Sequence, residues 1–335
     1  MSIETVTVLG CGSWGSALAQ CLALQGHRVN AWHHNADKVK QFKSTRRHPN
    51  LPGFQFAKNI TFFPDLTEAL DQSRYVIIAV PSHAVRKLAF RLKGKLNRDS
   101  ILVNVAKGVE NQTLKTMSQV VQEACGFKKD LIVSLYGPSH AEEVIQRLPT
   151  TLVAAAENIS TAEQVQFLFS SPFLRVYTNT DILGVELGGS IKNVIAIAAG
   201  ICDGIGFGDN TKAALLTRGI TEMTRLGVAM GARKETFSGL SGIGDLIATC
   251  LSKHSRNRYV GEEIGRGRKL GDILEQMEMV AEGVKTAQSV HDLKAKYSVE
   301  MPISQAIYNI LFEDKDPKLA VTELMTRNLT REHNI

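Results

Sequence analysis

A lysine stands alone among apolar and small residues. Lys192 lies in Val185-Glu-Leu-Gly-Gly-Ser-Ile-Lys192-Asn193-Val-Ile-Ala-Ile-Ala-Ala-Gly200, a glycine- and alanine-rich helical stretch that would pack closely against its neighbours and leave the ammonium poorly solvated. Burial lowers a lysine's pKa toward neutrality, which suits a base that takes the proton of an alcohol. A lysine snorkelling to the surface is the competing reading. Gly239-Leu-Ser-Gly-Ile-Gly-Asp245 sets a carboxylate at the mouth of a glycine-rich turn, where Asp245 would hold a substrate hydroxyl, orient the lysine, or simply cap a helix. Ser255-Arg256-Asn257-Arg258 opens a further helix: Ser255 caps it, while Arg256 and Asn257 add donors to the first-turn amides. That combination makes a phosphate cradle, or else an ordinary cap with exposed arginines.

A second kind of site lies near the start. Gly10-Cys11-Gly12-Ser13-Trp14-Gly15 follows a β-branched run directly and opens a helix that reaches Gln25 and closes at Gly26. In a dinucleotide site Gly10 makes the tight turn, Gly12 lets the backbone approach a pyrophosphate, and Gly15 permits close helix-strand packing. Glycine pairs recur at Gly204-Ile-Gly206, Gly242-Ile-Gly244 and Gly265-Arg-Gly267, so it is the preceding strand that distinguishes the first one. The second strand ends in Ala31-Trp32-His33-His34-Asn35, with no carboxylate before Asp37 to hold an adenosine ribose. The gap leaves room for a 2′-phosphate on His33 or His34, helped by Lys38, Arg46 or Arg47. NADP and dual use both stay open, as does a plain solvated loop. Three later strands end in candidate ligand loops: Val80-Pro81-Ser82-His83, Val105-Ala-Lys107-Gly108 and Leu135-Tyr-Gly137-Pro-Ser139-His-Ala141.

These residues need a scaffold, and the pattern supplies two. Val6 to Leu9, Val29 to Trp32, Tyr75 to Val80, Ile101 to Val105, Leu131 to Leu135 and Thr151 to Ala155 read as strands, several apolar on both faces as buried parallel strands must be. Helical signals separate them, including Asp65-Leu-Thr-Glu68 and Ser160-Thr-Ala-Glu163. Such alternation predicts an α/β Rossmann-type doubly wound parallel sheet. After about Thr180 the helix period takes over, at Ile182 to Cys202, Lys212 to Met230, Arg256 to Gly265, Thr286 to Tyr297, Pro302 to Phe312 and Pro317 to Arg327. The expectation is therefore two domains: residues 1–180 binding a dinucleotide, and residues 181–335 forming an all-α domain that carries substrate and catalytic groups.

Composition narrows the class. Among 335 residues, 44% are apolar and 21% charged, which disfavours disorder and coiled coil. A formal charge of +6 is modest for this length, and without a basic stripe it argues against nucleic-acid binding. The five cysteines, Cys11, Cys21, Cys125, Cys202 and Cys250, are scattered and form no Cys-x-x-Cys pair, so neither a disulfide framework nor a metal site is expected. The first residues carry no signal-peptide pattern, and no apolar run looks long enough for the roughly 20 residues of a membrane span. A cytoplasmic protein without membrane insertion is the expectation.

Taken in order, Gly-Cys-Gly-Ser-Trp-Gly, Val-Pro-Ser-His, Ala-Lys-Gly, Gly-Pro-Ser, Glu-Leu-Gly-Gly-Ser-Ile-Lys-Asn-Val, Gly-Ile-Gly-Asp-Leu and Ser-Arg-Asn-Arg make the chain resemble the NAD(P)-dependent glycerol-3-phosphate dehydrogenase family in its bacterial form, from about Thr5 to about Met325. The resemblance implies reversible hydride transfer between NAD(P)H and dihydroxyacetone phosphate, giving sn-glycerol 3-phosphate for glycerophospholipid synthesis, in a homodimer that needs no metal. It implies that Lys192 is the proton acceptor and donor, with Asp245 beside it. Substrate contacts fall on Lys107, Gly137, Ser139, Lys192, Asp245, Ser255, Arg256 and Asn257. Cofactor contacts fall on Ser13, Trp14, His34, Lys107, Ala141, Arg256, Val280 and Glu282, beside Gly10, Gly12, Gly15 and His33 from the motif reading. Trp14 stands where tyrosine or phenylalanine is also common. Cys11 stands where a small residue is usual, which suggests sensitivity to oxidation. A related β-hydroxyacid or ketoacid reductase and a non-catalytic dinucleotide sensor are the alternatives.

Overall fold

The computed structural model describes residues 3–277, 280–329 and 331–332. Eight strands form one sheet: β1 Thr5–Leu9, β2 Arg28–Trp32, β3 Ile60–Phe63, β4 Tyr75–Ile78, β5 Ile101–Asn104, β6 Ile132–Tyr136, β7 Thr150–Ala155 and β8 Leu174–Asn179. Their spatial order is β3-β2-β1-β4-β5-β6-β7-β8. The order reverses beside β1, which is where a doubly wound sheet opens a ligand crevice at the carboxyl ends of its strands. Helices α1 Ser13–Leu24, α2 Ala36–Thr45, α3 Leu66–Leu70, α4 Ser82–Leu92, α5 Met117–Cys125, α6 Ala141–Val144 and α7 Ile159–Phe169 are interleaved with the strands.

Period-two patterning builds both faces. Val6, Val8, Tyr75, Ile77, Ile101 and Val103 join Leu18, Leu22, Phe42 and Val165 of α1, α2 and α7 in one core. Leu9, Val76, Ile78 and Leu102 turn the other way onto Leu66, Val85, Leu88 and Val120 of α3, α4 and α5. Two edge strands escape the sequence reading. Isolated Ile60–Phe63 is short, and Leu174–Asn179 alternates buried and exposed positions only at its start. The expectation of a wholly parallel sheet is corrected at one pairing, because β6 and β7 run antiparallel, Leu135 opposite Ala154. A parallel return needs a full crossover, and the segment between them holds only the single turn α6.

The rest is helical: α8 Ile182–Ile205, α9 Asp209–Ala229, α10 Asp245–Leu251, α11 Arg256–Gly265, α12 Leu270–Glu275, α13 Glu282–Lys296, α14 Pro302–Phe312 and α15 Pro317–Met325. Pro302 and Pro317 open their helices as expected, and Asp316 caps α15 by accepting from the Leu319 amide at 2.8 Å. Helix α8 is the axis of this half, buried without a break from Gly184 to Cys202. It lies against α11 at backbone contact: a Cβ on Gly200 would fall 1.9 Å from the Arg258 carbonyl oxygen, and one on Gly261 2.0 Å from that of Ile197. Contrary to the sequence expectation, α8 is long and apolar enough to cross a membrane, with mean hydropathy 1.5, but 89% of that stretch is buried within the protein. Its apolar length serves a core.

Candidate active site

Because every face of α8 is covered, Lys192 cannot snorkel. It is only 5% exposed. Its Nζ donates to Asp245 Oδ1 at 2.9 Å and to Thr249 Oγ1. Burial pulls the ammonium's pKa down to about 8; Asp245 pushes it up, and Lys107 pushes it down again. Asp245 is also buried, and burial alone would raise its pKa. The ammonium groups of Lys107 and Lys192 outweigh that and hold the carboxyl below its ordinary value. The carboxylate opens α10 just after a widened turn, Leu240–Gly244, in which Gly242 leaves helical geometry and the Gly244 amide reaches back to the Gly239 carbonyl at 3.2 Å. Thr249 sits one turn later on α10, with its hydroxyl 3.2 Å from Asp245 Oδ1.

The sheet contributes the third charge. Lys107, just past β5, places Nζ 2.5 Å from Asp245 Oδ2 and 3.0 Å from the Gly137 carbonyl oxygen, which also accepts from Ser139 Oγ at 3.1 Å. Lys107, Gly137, Ser139, Lys192 and Asp245 thus converge, as a carboxylate gripped by two ammonium groups. Next to them lies His140, whose imidazole pKa is lowered by burial and by the Lys192 charge. Thr249 and His140 were missed from sequence. Thr249 becomes legible once residues 245–251 are read as a helix, which puts it on the same face as Asp245.

The start of α11 is organised differently from the sequence reading. Ser255 does cap it, accepting from the Arg258 amide at 3.2 Å, so the Arg256 and Asn257 amides have no intrahelical acceptor. Asn257's carboxamide, however, is spent inside: it donates to Asn193 Oδ1 and accepts from the Gly283 amide, both at 2.9 Å. Arg256 is exposed by surface area yet sits among crowding walls that lower its pKa from the ordinary arginine value, with Glu282 and Glu142 acting against that. It stays charged.

The glycine-rich loop has the geometry its motif requires. Gly10 has φ +114°, and a Cβ there would strike the Ala79 carbonyl oxygen at 2.7 Å; one on Gly15 would lie 2.0 Å from the Gly10 oxygen. Over Gly12, which precedes α1, there is open space to 4 Å, and no side chain caps that helix. An anionic diphosphate fits this cradle on helix-terminal amides. Ser13 and Trp14 form the first turn of α1, and Trp14 is half-buried against the sheet core. His48, which lines a cavity of about 470 Å³ beside α2, meets the Cys11 carbonyl with Nε2 at 3.1 Å. Cys11 itself is buried and its thiol is pushed up to about 12 by burial, so the expected sensitivity to oxidation is corrected.

At the end of β2 the two histidines part company. His33 is buried, its Nδ1 accepts from the Asn35 amide at 3.0 Å, and burial together with His34 lowers its pKa to about 4. It is neutral and points inward; His34 is exposed and stacks on it at 4.6 Å. Arg46 is also turned in, donating to the Ile60 and Ala57 carbonyls. A 2′-phosphate therefore has His34, Lys38 and Arg47, all exposed, to meet. Ala141 opens α6 and is buried, while Val280 is half-buried before α13. Glu282 spans the two halves: its carboxylate accepts from the Ser82 amide at 3.0 Å and from Ser82 Oγ, capping α4 from α13. Among the described residues no group of three His, Cys, Asp or Glu side chains is placed to hold a metal ion.

Residues 5–162 match the NAD-dependent glycerol-3-phosphate dehydrogenase N-terminus, and residues 181–322 match the C-terminus of the same family. The chain is 51% identical over 331 residues to the glycerol-3-phosphate dehydrogenase [NAD(P)+] of Chlorobium limicola, covering 98% of this chain and 99% of that one. It is 48% identical over 334 residues to the Lysinibacillus sphaericus protein of the same name, covering 98% of each. The crystal structure of glycerol-3-phosphate dehydrogenase from Coxiella burnetii superposes with a TM-score of 0.93 at 36% identity, covering 97% of this chain and 99% of that one. The chain belongs to the NAD-dependent glycerol-3-phosphate dehydrogenase family.

Proposed function

We infer that this chain interconverts dihydroxyacetone phosphate and sn-glycerol 3-phosphate, in the direction that feeds glycerophospholipid synthesis, with Lys192 moving the proton. NAD(P)H, when bound, supplies the hydride that reaches C2 of the ketone. The observation that carries the reading is a buried lysine on α8, its pKa lowered to about 8, paired to an Asp245 that also holds Lys107 from the carboxyl end of β5. In reduction the Lys192 ammonium polarises the ketone oxygen and hands it a proton; in oxidation the neutral amine takes the hydroxyl proton. Asp245 keeps the amine oriented, and Lys107 holds Asp245 from the other side. The Arg256 guanidinium and the first amides of α11 take the substrate phosphate, so that binding far from C2 fixes the reacting carbon.

In this reading Gly10, Gly12, Ser13, Trp14 and Gly15 hold the diphosphate, and His34 lies at the adenosine end. Residues 1–180 then carry the dinucleotide and residues 181–335 the reacting groups. A homodimer in the cytoplasm, bound to neither membrane nor nucleic acid, completes the proposal, and sedimentation measures the dimer. The deciding assay follows nicotinamide absorbance with dihydroxyacetone phosphate and NADH or NADPH, comparing the native chain with Lys192→Ala. Turnover in the native chain, lost in a variant that still binds cofactor, is the expected result. Native protein that binds cofactor but leaves this ketone untouched, or reduces phosphate-free ketoacids instead, would overturn it.

A further inference from the structure

One buried carboxylate has no part in the reaction drawn above. Glu186 lies on α8, N-terminal to Lys192, with none of its surface exposed. It accepts from the Ser118 amide at 2.9 Å, from Ser118 Oγ at 2.6 Å, from Ser134 Oγ at 2.7 Å and from Asn104 Nδ2 at 3.3 Å. Three of the four converge on Oε1 and the Ser118 hydroxyl meets Oε2, so a carboxylate accepts from all of them, whereas a carboxamide would have to turn its NH₂ onto the Ser118 hydroxyl and reverse that bond. The network continues toward the site. Asn104 Oδ1 accepts from the Ala106 amide at 3.1 Å, and its Nδ2 donates to the Tyr136 hydroxyl at 3.0 Å, which in turn donates to the Ala106 carbonyl. Both polar groups of Ala106 are thereby fixed, and the next residue is Lys107.

We propose that Glu186 is a positioning residue for the reaction: through Asn104 and Tyr136 it fixes the peptide before Lys107, and so sets where the Lys107 ammonium stands relative to Asp245 and Lys192. The helix that carries the base thus also holds the strand end that carries the charge opposing it. The inference rests on the reading of Lys192, Asp245 and Lys107 as the reacting centre. Another buried carboxylate shows what a purely structural role looks like. Glu222 accepts from the Ile303 and Ser304 amides and from Ser304 Oγ at the start of α14, and these contacts tie α9 to α14 without leading to Lys107.

The two roles separate in a pH profile. Facing the Lys192 ammonium are Asp245, Thr249 and Cys250 from α10, Lys107 from the end of β5, and His140 from the loop after β6. If Lys107 relaxes away, Lys192 loses a like charge that lowers its pKa, and Asp245 is left to it alone. Both changes raise the pKa. The reduction rate, which needs the ammonium, should then hold to higher pH before it falls.

The test compares the native full-length chain with Glu186→Gln, Tyr136→Phe and Glu222→Gln, measuring kcat and KM for dihydroxyacetone phosphate across pH, and thermal unfolding. We expect Glu186→Gln and Tyr136→Phe to lower kcat, by up to about 100-fold for a displacement near 1 Å, and to move the basic limb upward. Glu222→Gln should lose stability with its limb unmoved. Native kcat and limb position in Tyr136→Phe, and in Glu186→Gln where that variant folds, would overturn the proposal whatever happens to the melting temperature. Tyr136→Phe removes a single hydroxyl and decides alone if Glu186→Gln fails to fold. Absence of ketone turnover in the native chain would overturn the underlying reading first, and is distinguishable because no variant is needed to see it.

Discussion

Lys192 titrates near the pH at which it would work, and the direction of each rate follows from that. With a pKa of about 8, the group is ammonium at neutral pH and amine above it. Reduction of the ketone should therefore lose rate as pH rises through about 8, while oxidation of the alcohol gains it; stopped turnover assays in both directions measure the crossing. Lys192→Ala should lower kcat by about 10² to 10⁴, the usual range for losing a positioned acid or base, with cofactor affinity kept. Arg256→Ala acts differently: a lost charge-assisted contact is worth about 1.5–3 kcal/mol, and should appear as a raised KM for phosphorylated substrate. Residue chemistry was legible where a residue type is rare in its setting, as with Lys192 in an apolar helix or Gly10 after a strand. It was not legible for His33, because two adjacent histidines read alike in sequence and only the fold turns one of them inward.

Elements were legible in proportion to their burial on both faces. The central strands β1, β4 and β5 are β-branched or apolar and buried over nearly all of their length, so pattern locates them to within a residue or two. Edge strands β3 and β8 have only one neighbour, and nothing in Ile60–Phe63 alone distinguishes a short strand from a loop. The same reasoning explains α10. Its residues Asp245–Leu251 follow a glycine-rich turn whose irregular backbone hides the helix start. What pattern does not reveal is closeness, which here depends on single hydrogens. Gly200→Ala would force a Cβ to within 1.9 Å of the Arg258 carbonyl, pushing α11 off α8. A cost of about 1–3 kcal/mol is expected from such overpacking, read as a lower denaturant midpoint. Gly15→Ala, with its Cβ 2.0 Å from the Gly10 oxygen, should move α1 from the loop it supports. Dinucleotide affinity, followed by fluorescence titration, is the quantity it should lower.

At the scale of the whole molecule, the sheet half and the helical half are joined by polar groups that also serve the site. Glu282 on α13 caps α4, Glu186 on α8 holds Ser118 and Ser134, and Lys107 beyond β5 reaches Asp245 on α10. Each tie crosses between segments distant in sequence, which is why none could be read from local pattern. The last of them has a kinetic consequence. A lone buried Lys192–Asp245 pair would hold its proton tightly, because in a poorly hydrated site the carboxylate favours the ammonium. Lys107 competes for the same carboxylate and adds a like charge, so it keeps the base weak enough to exchange its proton with substrate. Lys107→Met should therefore do more than weaken substrate binding. It should raise the pKa of Lys192 and carry the basic limb of the reduction profile above its native position near 8, while delaying the onset of alcohol oxidation to the same higher pH. A limb that stays in place while KM alone rises would show that Lys107 contacts substrate without tuning the base.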